Sequence, residues 1–191
     1  TAPGAPDRVT DAAWAYSTDS ALLYGGRVSG ITKTARGFTF SYANGVWIAV
    51  PPGPSARWGA FATHDGSAYY LWGGRDETGA MSDGYRYNAT WTNLAGANAP
   101  SARWAPFRRS GWAFAFGSGD IAVVGGMNFA GTVLSDGGRY VRATDTWTSI
   151  AAWPSSEAHE YGAAALLGVE IVVWGGRNGS NLTTTGERYS P

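Results

Sequence analysis

A short apolar run that ends in two glycines recurs four times along the chain. The runs do not alternate with polar residues, and they end at Gly25-Gly26, Gly73-Gly74, Gly125-Gly126 and Gly175-Gly176. Successive pairs are separated by about 50 residues, and self-similarity at such a period is the signature of a repeat architecture. The pattern therefore predicts one structural unit per repeat.

The second repeat shows most clearly which elements fill one unit. Residues 60–64 and 68–72 surround an Asp-Gly turn and predict two strands, and residues 84–87 and 91–94 predict two more. The other repeats fit this pattern, but the last one lacks a fourth strand. A continuous apolar strand indicates a sheet covered on both faces. We therefore expect an all-β protein of four stacked, four-stranded antiparallel sheets, the last incomplete.

Aromatic residues recur in phase with these predicted strands. Tyrosines fall on the third strands and tryptophans on the fourth, at Tyr42, Tyr87, Tyr140, Tyr189, Trp47, Trp91 and Trp147. Because aromatic side chains bury much apolar area, we expect them to fill the space between neighbouring sheets. Glycine at a strand end lets another backbone approach closely. Both features predict tight packing between units.

The composition limits the classes of partner and chemistry. Fourteen basic residues balance fourteen acidic ones, which gives no support for binding to nucleic acid or to an anionic membrane surface. No apolar run is long enough to span a bilayer, and the absence of cysteine excludes disulfides and thiol chemistry. Lys33 is the only lysine among the fourteen basic residues. An excess of arginine suits oriented polar recognition, but a GC-rich genome explains it equally well.

The N-terminal residues 1–6 lack both an initiator methionine and a hydrophobic signal segment. They resemble a mature N-terminus left after removal of a secretory signal, or the boundary of an expressed fragment. We expect a secreted or periplasmic protein.

The repeat resembles the kelch repeat, whose units are the blades of a β-propeller. The resemblance rests on the di-glycine after an apolar strand, the tyrosine that follows it and the tryptophan a few residues later. The segments Pro54-Ser-Ala-Arg-Trp58, Pro100-Ser-Ala-Arg-Trp104 and Ala143-Thr-Asp-Thr-Trp147 look most like kelch arrays of exported bacterial proteins. The resemblance implies one propeller domain over residues 1–191, with blades at about 8–53, 54–99, 100–153 and 154–191.

The number of repeats departs from the kelch pattern, because kelch propellers usually have six or seven blades. Two arrangements stay open: a small four-bladed ring with an imperfect last blade, or part of a ring that a second chain or another segment completes. The Pro- and Gly-rich segment before Arg8 is a poor strand donor for the last blade. An open end would expose apolar sheet surface and favour self-association.

The loops that enter first strands and those that leave second strands are expected on one face. There we predict the residues that bind a ligand or partner: Arg57, Trp58, Arg75, Arg103, Trp104, Arg108, Arg109, Glu157, His159, Glu160 and Arg177. Arginine and tryptophan can bind carboxylates or sugar rings through bidentate hydrogen bonds and stacking. For Arg57 and Arg103 the alternative is a structural role, pinning a loop to the neighbouring blade, because repeated positions usually encode packing.

Residues that depart from the repeat are the better functional candidates on this face: Arg108, Arg109, Met127, Glu157, His159 and Glu160. The chain has only two histidines, which excludes a three-histidine metal site and leaves His159 with Glu157 or Glu160 as the remaining metal-binding possibility. We predict no catalytic residue, no metal and no cofactor.

The function that we expect is a non-catalytic binding or protein-interaction module, an accessory or scaffold subunit that presents its loops to a protein or a glycan. The alternatives are a glycan-binding lectin and a small enzyme such as a sugar mutarotase, a class with kelch-like members. Glu157, His159 and Glu160 lie on one short loop with no titratable group opposing them, which favours a binding module over an enzyme.

Overall fold

The computed structural model of the chain describes residues 4–30, 32–106, 111–152, 159–178 and 180–190. Within these ranges the fold is all-β and contains no helix, so none is long and apolar enough to cross a bilayer. The first repeat contains β1 (Ala13–Tyr16), β2 (Ser20–Tyr24), β3 (Arg27–Ser29), β4 (Thr32–Lys33), β5 (Gly37–Ser41) and β6 (Val46–Ala49).

The later repeats contain the equivalent strands. The second has β7 (Phe61–His64), β8 (Tyr69–Trp72), β9 (Gly84–Asn88) and β10 (Thr90–Asn93). The third has β11 (Gly111–Ala115), β12 (Ile121–Gly125), β13 (Gly137–Val141) and β14 (Thr146–Ile150). The fourth has β15 (Ala163–Leu167), β16 (Glu170–Trp174), β17 (Arg177–Asn178), β18 (Asn181–Leu182) and β19 (Gly186–Tyr189).

Each repeat folds into one antiparallel sheet whose strands are hydrogen-bonded in the order in which they follow along the chain. The orders are β1-β2-β5-β6, β7-β8-β9-β10, β11-β12-β13-β14 and β15-β16-β19. The predicted pattern of repeated four-stranded antiparallel sheets is confirmed, and within the described residues the last sheet has three strands. In the first and fourth repeats, the hairpins β3-β4 and β17-β18 occupy stretches for which the repeat pattern predicts no strand.

The four sheets stack face to face in sequence order. Tyr24 of the first sheet lies against Trp91 of the second, with ring centres 5.0 Å apart. Trp72 of the second sheet lies against Trp147 of the third, with ring centres 4.5 Å apart. Val124 of the third sheet belongs to a buried cluster that includes residues of the fourth. Aromatic and β-branched side chains therefore fill the space between the sheets.

In the first sheet, the aromatic residue at the repeated third-strand position is Phe40 and not Tyr42. Phe40 pairs with Ala21 of β2, as Tyr140 pairs with Ile121 of β12 in the third sheet. Tyr42 follows the end of β5 and is exposed. The sequence pattern favours Tyr42 only because the third strands of the other repeats carry a tyrosine.

The stack is open at both ends. The outer face of the first sheet carries Tyr16, which is 72% exposed, and the outer face of the fourth carries Trp174, which is 61% exposed. The faces inside the stack are covered by the neighbouring sheets. The described sheets therefore do not close into a ring.

Candidate functional site

In each repeat, reciprocal backbone hydrogen bonds join the loop before the first strand to the loop after the second. The Trp58 N–H donates to the Arg75 carbonyl oxygen at 3.1 Å, and the Arg75 N–H donates to that of Trp58 at 3.0 Å. The equivalent pairs are Thr10 with Arg27, Trp104 with Met127, and Glu160 with Arg177. We call the end of the stack that carries these eight residues the loop face.

Two predicted binding residues, Arg57 and Arg103, are buried. The Arg57 guanidinium donates to the two carboxylate oxygens of Asp83, at 2.6 and 2.8 Å, and to the Gly73 carbonyl oxygen at 3.0 Å. Nη2 of Arg103 likewise donates to the Asp136 carboxylate, at 3.2 Å, and its Nη1 donates to the Gly125 and Asp136 carbonyl oxygens, both at 3.0 Å. Burial acts to raise the pKa of the Asp83 carboxyl, but the hydrogen bond and charge of Arg57 outweigh it, so the pKa is lowered. Each arginine thus ties together the loops of its own repeat.

The backbone of the same two arginines contacts the preceding repeat. The Arg57 carbonyl oxygen accepts a hydrogen bond from the Gly26 N–H at 2.8 Å, and that of Arg103 accepts one from the Gly74 N–H at 2.9 Å. The structural role suggested by their repeated context is therefore divided between the backbone and the side chain of each arginine. The backbone joins neighbouring repeats, whereas the side chain holds its own repeat.

His159 occupies the position of these buried arginines in the fourth repeat. It is 2% exposed, and its Nδ1 lies 2.6 Å from the Gly175 carbonyl oxygen. In the second and third repeats an aspartate precedes the third strand, whereas Thr185 stands there in the fourth. In the sequence, His159 stands out as a departure from the repeat. The structure places it at a repeated position with a different side chain.

Arginine side chains and aromatic rings alternate across the loop face. The Trp58 ring centre lies 5.7 Å from the Arg27 guanidinium and 5.3 Å from the Arg75 guanidinium. The Arg75 guanidinium also lies 4.7 Å from the Trp104 ring centre and 4.6 Å from that of Phe129. These distances are within the range of cation–π attraction. We call the five residues the arginine–aromatic row.

The two arginines of the row differ in their acidic partners. Arg27 forms an ion pair with Asp11. The Nε of Arg75 donates to the Asp76 carbonyl oxygen at 3.2 Å, but no carboxylate oxygen of the described residues lies within 4.0 Å of its guanidinium. The charge of Arg75 is therefore the one in the row that an external anion can neutralise.

The loop after Arg75 is held in place by the side chain of Asp76. Its Oδ1 accepts hydrogen bonds from the Thr78 hydroxyl at 2.6 Å, the Thr78 N–H at 2.7 Å and the Gly79 N–H at 3.1 Å. The hydroxyl bond is the main cause that lowers the pKa of the Asp76 carboxyl to about 2. An ordered loop loses less conformational freedom when a ligand binds.

Of the other predicted binding residues, some form a separate group on the loop face. Others lie outside the part of the chain that the structure describes. The Nε of Arg177 lies 3.2 Å from Oε2 of Glu160, and its guanidinium lies 4.7 Å from the Tyr161 ring centre. Three predicted residues lie outside the described residues: Arg108, Arg109 and Glu157. In the ranges that are described, no three histidine or acidic side chains are arranged to hold a metal ion. The structure thus brings together Trp58, Arg75 and Trp104 from the predicted set.

A groove of about 430 Å³ runs along the first strands of the first three sheets. Its described lining is mainly glycine, alanine and aromatic residues, and Asp11 is the one ionisable side chain among these described residues. The Asp11 carboxylate already pairs with Arg27. Acid–base catalysis needs a positioned group that can exchange a proton, so this groove gives no support to an enzyme of the mutarotase type.

Comparison with family models and with curated proteins assigns the chain to no family. No model of a known protein family matches the chain, and no curated protein matches it significantly. The resemblance to kelch arrays stays a prediction from the repeated residues, and the function must be inferred from the loop face.

The pairing of Arg57 with Asp83 is the feature that the sequence interpretation missed. The recurring Ser-Asp-Gly segments before the third strands indicate turns by themselves, so the local pattern does not single out Asp83 and Asp136 as partners of the arginines. The chain nevertheless contains a signal for the pairing. The arginine and the aspartate occur together in the second and third repeats, and both are absent from these positions in the first and fourth.

Proposed function

We propose that this protein is a non-catalytic binding module built from kelch-type β-propeller blades, and that its loop face binds a carboxylate-bearing segment of a partner protein. The observation that carries the proposal is the Arg75 guanidinium. It lies among three aromatic rings and has no carboxylate partner among the described residues. A carboxylate can bind a guanidinium through two parallel hydrogen bonds.

The two tryptophan rings beside Arg75 are themselves held in place. Trp58 is buried, and the indole Nε1 of Trp104 donates to the Asn128 carbonyl oxygen at 3.2 Å. Fixed rings hold the arginine in one region and reduce the entropy lost on binding. Tryptophan and arginine are also the residues that dominate the binding energy of many protein interfaces. This supports a protein segment as the ligand.

An acidic sugar is the second candidate, because Phe129 presents an open ring beside Arg75. Phe129 is 47% exposed, and its ring centre lies 4.6 Å from the Arg75 guanidinium. A sugar ring could stack on Phe129 while its carboxylate binds Arg75. This arrangement would make the module a lectin for uronic or sialic acids.

The proposal is tested with matched sets of synthetic peptides. One set carries aspartate and glutamate, and the other has asparagine and glutamine at the same positions; calorimetry measures binding of each to the chain. We expect binding of acidic peptides only. Arg75→Gln should weaken it by roughly 10- to 100-fold, because a hydrogen bond to a charged group contributes about 1.5–3 kcal/mol.

Arg177→Gln is the matched control, since the same substitution then removes an arginine of the loop face that Glu160 already neutralises. Its affinity for the acidic peptides should stay within about twofold of the unaltered chain. An equal loss in both variants would show nonspecific attraction and contradict the proposal. Glucuronate and sialate oligosaccharides are titrated in parallel, and their binding in place of the peptides would favour the lectin.

A further inference from the structure

The junctions between neighbouring sheets are built from equivalent residues. The residue before a glycine pair faces the next sheet, and the tryptophan of a fourth strand faces the previous one. At the first junction Tyr24 meets Trp91, and at the second Trp72 meets Trp147. Tyr24 and Trp72 are each 1% exposed. The first two junctions thus each contain one aromatic residue from each sheet, whereas Val124 takes the position of Tyr24 and Trp72 at the third.

The two open ends of the stack carry the two halves of such a junction. Trp174 stands before the fourth glycine pair, in the position of Tyr24 and Trp72, but most of its side chain is exposed. Trp47 stands on the fourth strand of the first sheet, and its ring lies on the outer face, 6.0 Å from that of Trp14. Within the described residues no tryptophan covers the outer face of the fourth sheet, and the half-buried Trp47 is the corresponding residue on the outer face of the first.

Side-chain sizes on the two end faces are also complementary. At the second junction the large Phe61, which pairs with the residue before the glycines, packs in one cluster with the small Ala113. On the end faces, Ala163 occupies the position of Phe61, and Trp14 occupies that of Ala113. A small residue on the fourth sheet thus corresponds to a large one on the first. Close packing requires such an exchange of volumes.

A backbone hydrogen bond joins neighbouring repeats at the first and second junctions, and the open end carries the corresponding donor. The Gly26 N–H donates to the Arg57 carbonyl oxygen of the next repeat, and an equivalent bond joins the second and third repeats. Gly176 is the corresponding donor of the fourth repeat, and no following repeat provides its acceptor within the described residues. Val9 of the first repeat occupies the position of Arg57 and would present the equivalent carbonyl oxygen.

We propose that two copies of this chain associate head to tail, with the outer face of the fourth sheet of each copy packed on the outer face of the first sheet of the other. Trp174 then lies against Trp47 of the partner subunit, and the Gly176 N–H donates to Val9 of the partner subunit. The two identical contacts close a ring of eight sheets. Propellers typically have four to eight blades.

A second copy is the occupant because both surfaces belong to one type of junction, which the chain already forms between its own sheets. Contacts between two different faces of identical chains close into rings when the rotation permits. Large exposed apolar patches mark interaction surfaces in soluble proteins. The contact between the two copies is made by the faces of the sheets, so it is independent of the ligand proposed for the loop face.

Light scattering of the purified chain tests the association. We expect a mass of about 40 kDa, twice that of the 20.1 kDa chain. Trp174→Asp should give a folded monomer, because the side chain is exposed in the single chain and its charge would be buried in the dimer. Trp174→Tyr, which copies Tyr24, should keep the dimer. Leu182→Asp is the control, since Leu182 lies in the β17-β18 hairpin and is 83% exposed.

Mixing two variants tests the direction of the contact. Tyr16→Asp alters the outer face of the first sheet, and Trp174→Asp alters that of the fourth. Each variant alone should be monomeric, and their mixture should form a one-to-one dimer through the one unaltered pair of faces. If Tyr16→Asp alone still dimerised, identical faces would be in contact and the proposal would be overturned. A monomeric unaltered chain at all concentrations would overturn it as well.

Discussion

Arg57 and Arg75 are arginines of the same repeat with opposite surroundings. The Arg57 side chain is buried and bonded to Asp83. Arg75 lies among aromatic rings, and the described residues give it no carboxylate partner. A buried charge that loses its partner is strongly destabilising, whereas the loss of a solvent-accessible charge mainly affects what binds to it. The two residues should therefore respond to different measurements.

Removal of the charge on Asp83 should lower the stability of the fold. We expect Asp83→Asn to reduce the free energy of unfolding by about 2 kcal/mol, because it leaves the buried Arg57 guanidinium without a counter-charge. Urea denaturation at pH 7 measures the change. Asp7→Asn is the control, because Asp7 pairs with Arg36 and both side chains are exposed; an exposed pair contributes at most about 1 kcal/mol.

Unfolding of the unaltered chain and of Asp83→Asn at lower pH tests whether the charge of Asp83 causes the difference in stability. Since the pKa of Asp83 is lowered in the folded state, its contribution is complete above the unfolded pKa and is lost as the pH falls through the folded pKa. The difference between the unaltered chain and Asp83→Asn should therefore be unchanged from pH 7 to about pH 5 and should shrink at more acidic pH. A difference that stays constant under acid would show that the charge is not responsible.

The sequence located the arginines of the loop face but could not separate their roles. Arg57 precedes Trp58 in a repeated segment and Arg75 follows a glycine pair, but neither context shows what the side chain contacts. The buried Arg57 pairs with Asp83, which precedes the third strand and comes close to Arg57 only in the folded repeat. The contact of Arg75 with Trp104 likewise depends on how two repeats stack. Both are tertiary effects that a local pattern does not contain.

At the scale of the elements, the first and second glycine pairs each end a strand and lie against the loop of the next repeat. Gly73 has a φ of +61° and Gly74 a φ of +94°, in the left-handed region that favours glycine. A Cβ on Gly73 would lie 2.5 Å from the Arg103 carbonyl oxygen. The pair thus allows a backbone turn and a close contact between repeats.

Alanine at Gly73 should destabilise the protein through both effects. We expect Gly73→Ala to lower the free energy of unfolding by about 2–4 kcal/mol, because the left-handed conformation and the backbone overlap each contribute. Gly66→Ala separates them, since Gly66 also has a positive φ, +94°, but nothing lies within 4 Å of its added Cβ. Thermal or urea unfolding of both variants measures the difference, and equal losses would contradict a close approach at Gly73.

The sheet strands were predictable from the sequence, whereas the small hairpins were not. Apolar runs such as 68–72 and 121–124 are long enough to reveal buried strands, and the glycine pairs mark their ends. The hairpin of β3 and β4 is short and polar, and backbone hydrogen bonds around Arg27 hold it. Such pairing depends on the loop that lies beside it and leaves no periodic pattern.

At the scale of the whole molecule, the repeats produce a stack with two unlike ends. The sequence left open whether four units close on themselves, because closure depends on the rotation between sheets, which the repeat residues do not encode. The structure shows an exposed Trp174 at one end and an exposed Tyr16 at the other. In our account these ends meet in a second copy, so that the loop faces of two chains form one continuous surface.

Small-angle X-ray scattering of the unaltered chain over a range of concentrations is the most direct test of the closed pair of chains. Two chains of 191 residues in one compact particle should give a radius of gyration of about 21 Å or somewhat more, whereas a single chain should give about 16 Å. We expect the larger radius of gyration, with the same value at all concentrations at which the dimer stays associated. A value near 16 Å at every concentration, or a size that grows without limit, would contradict the closed pair.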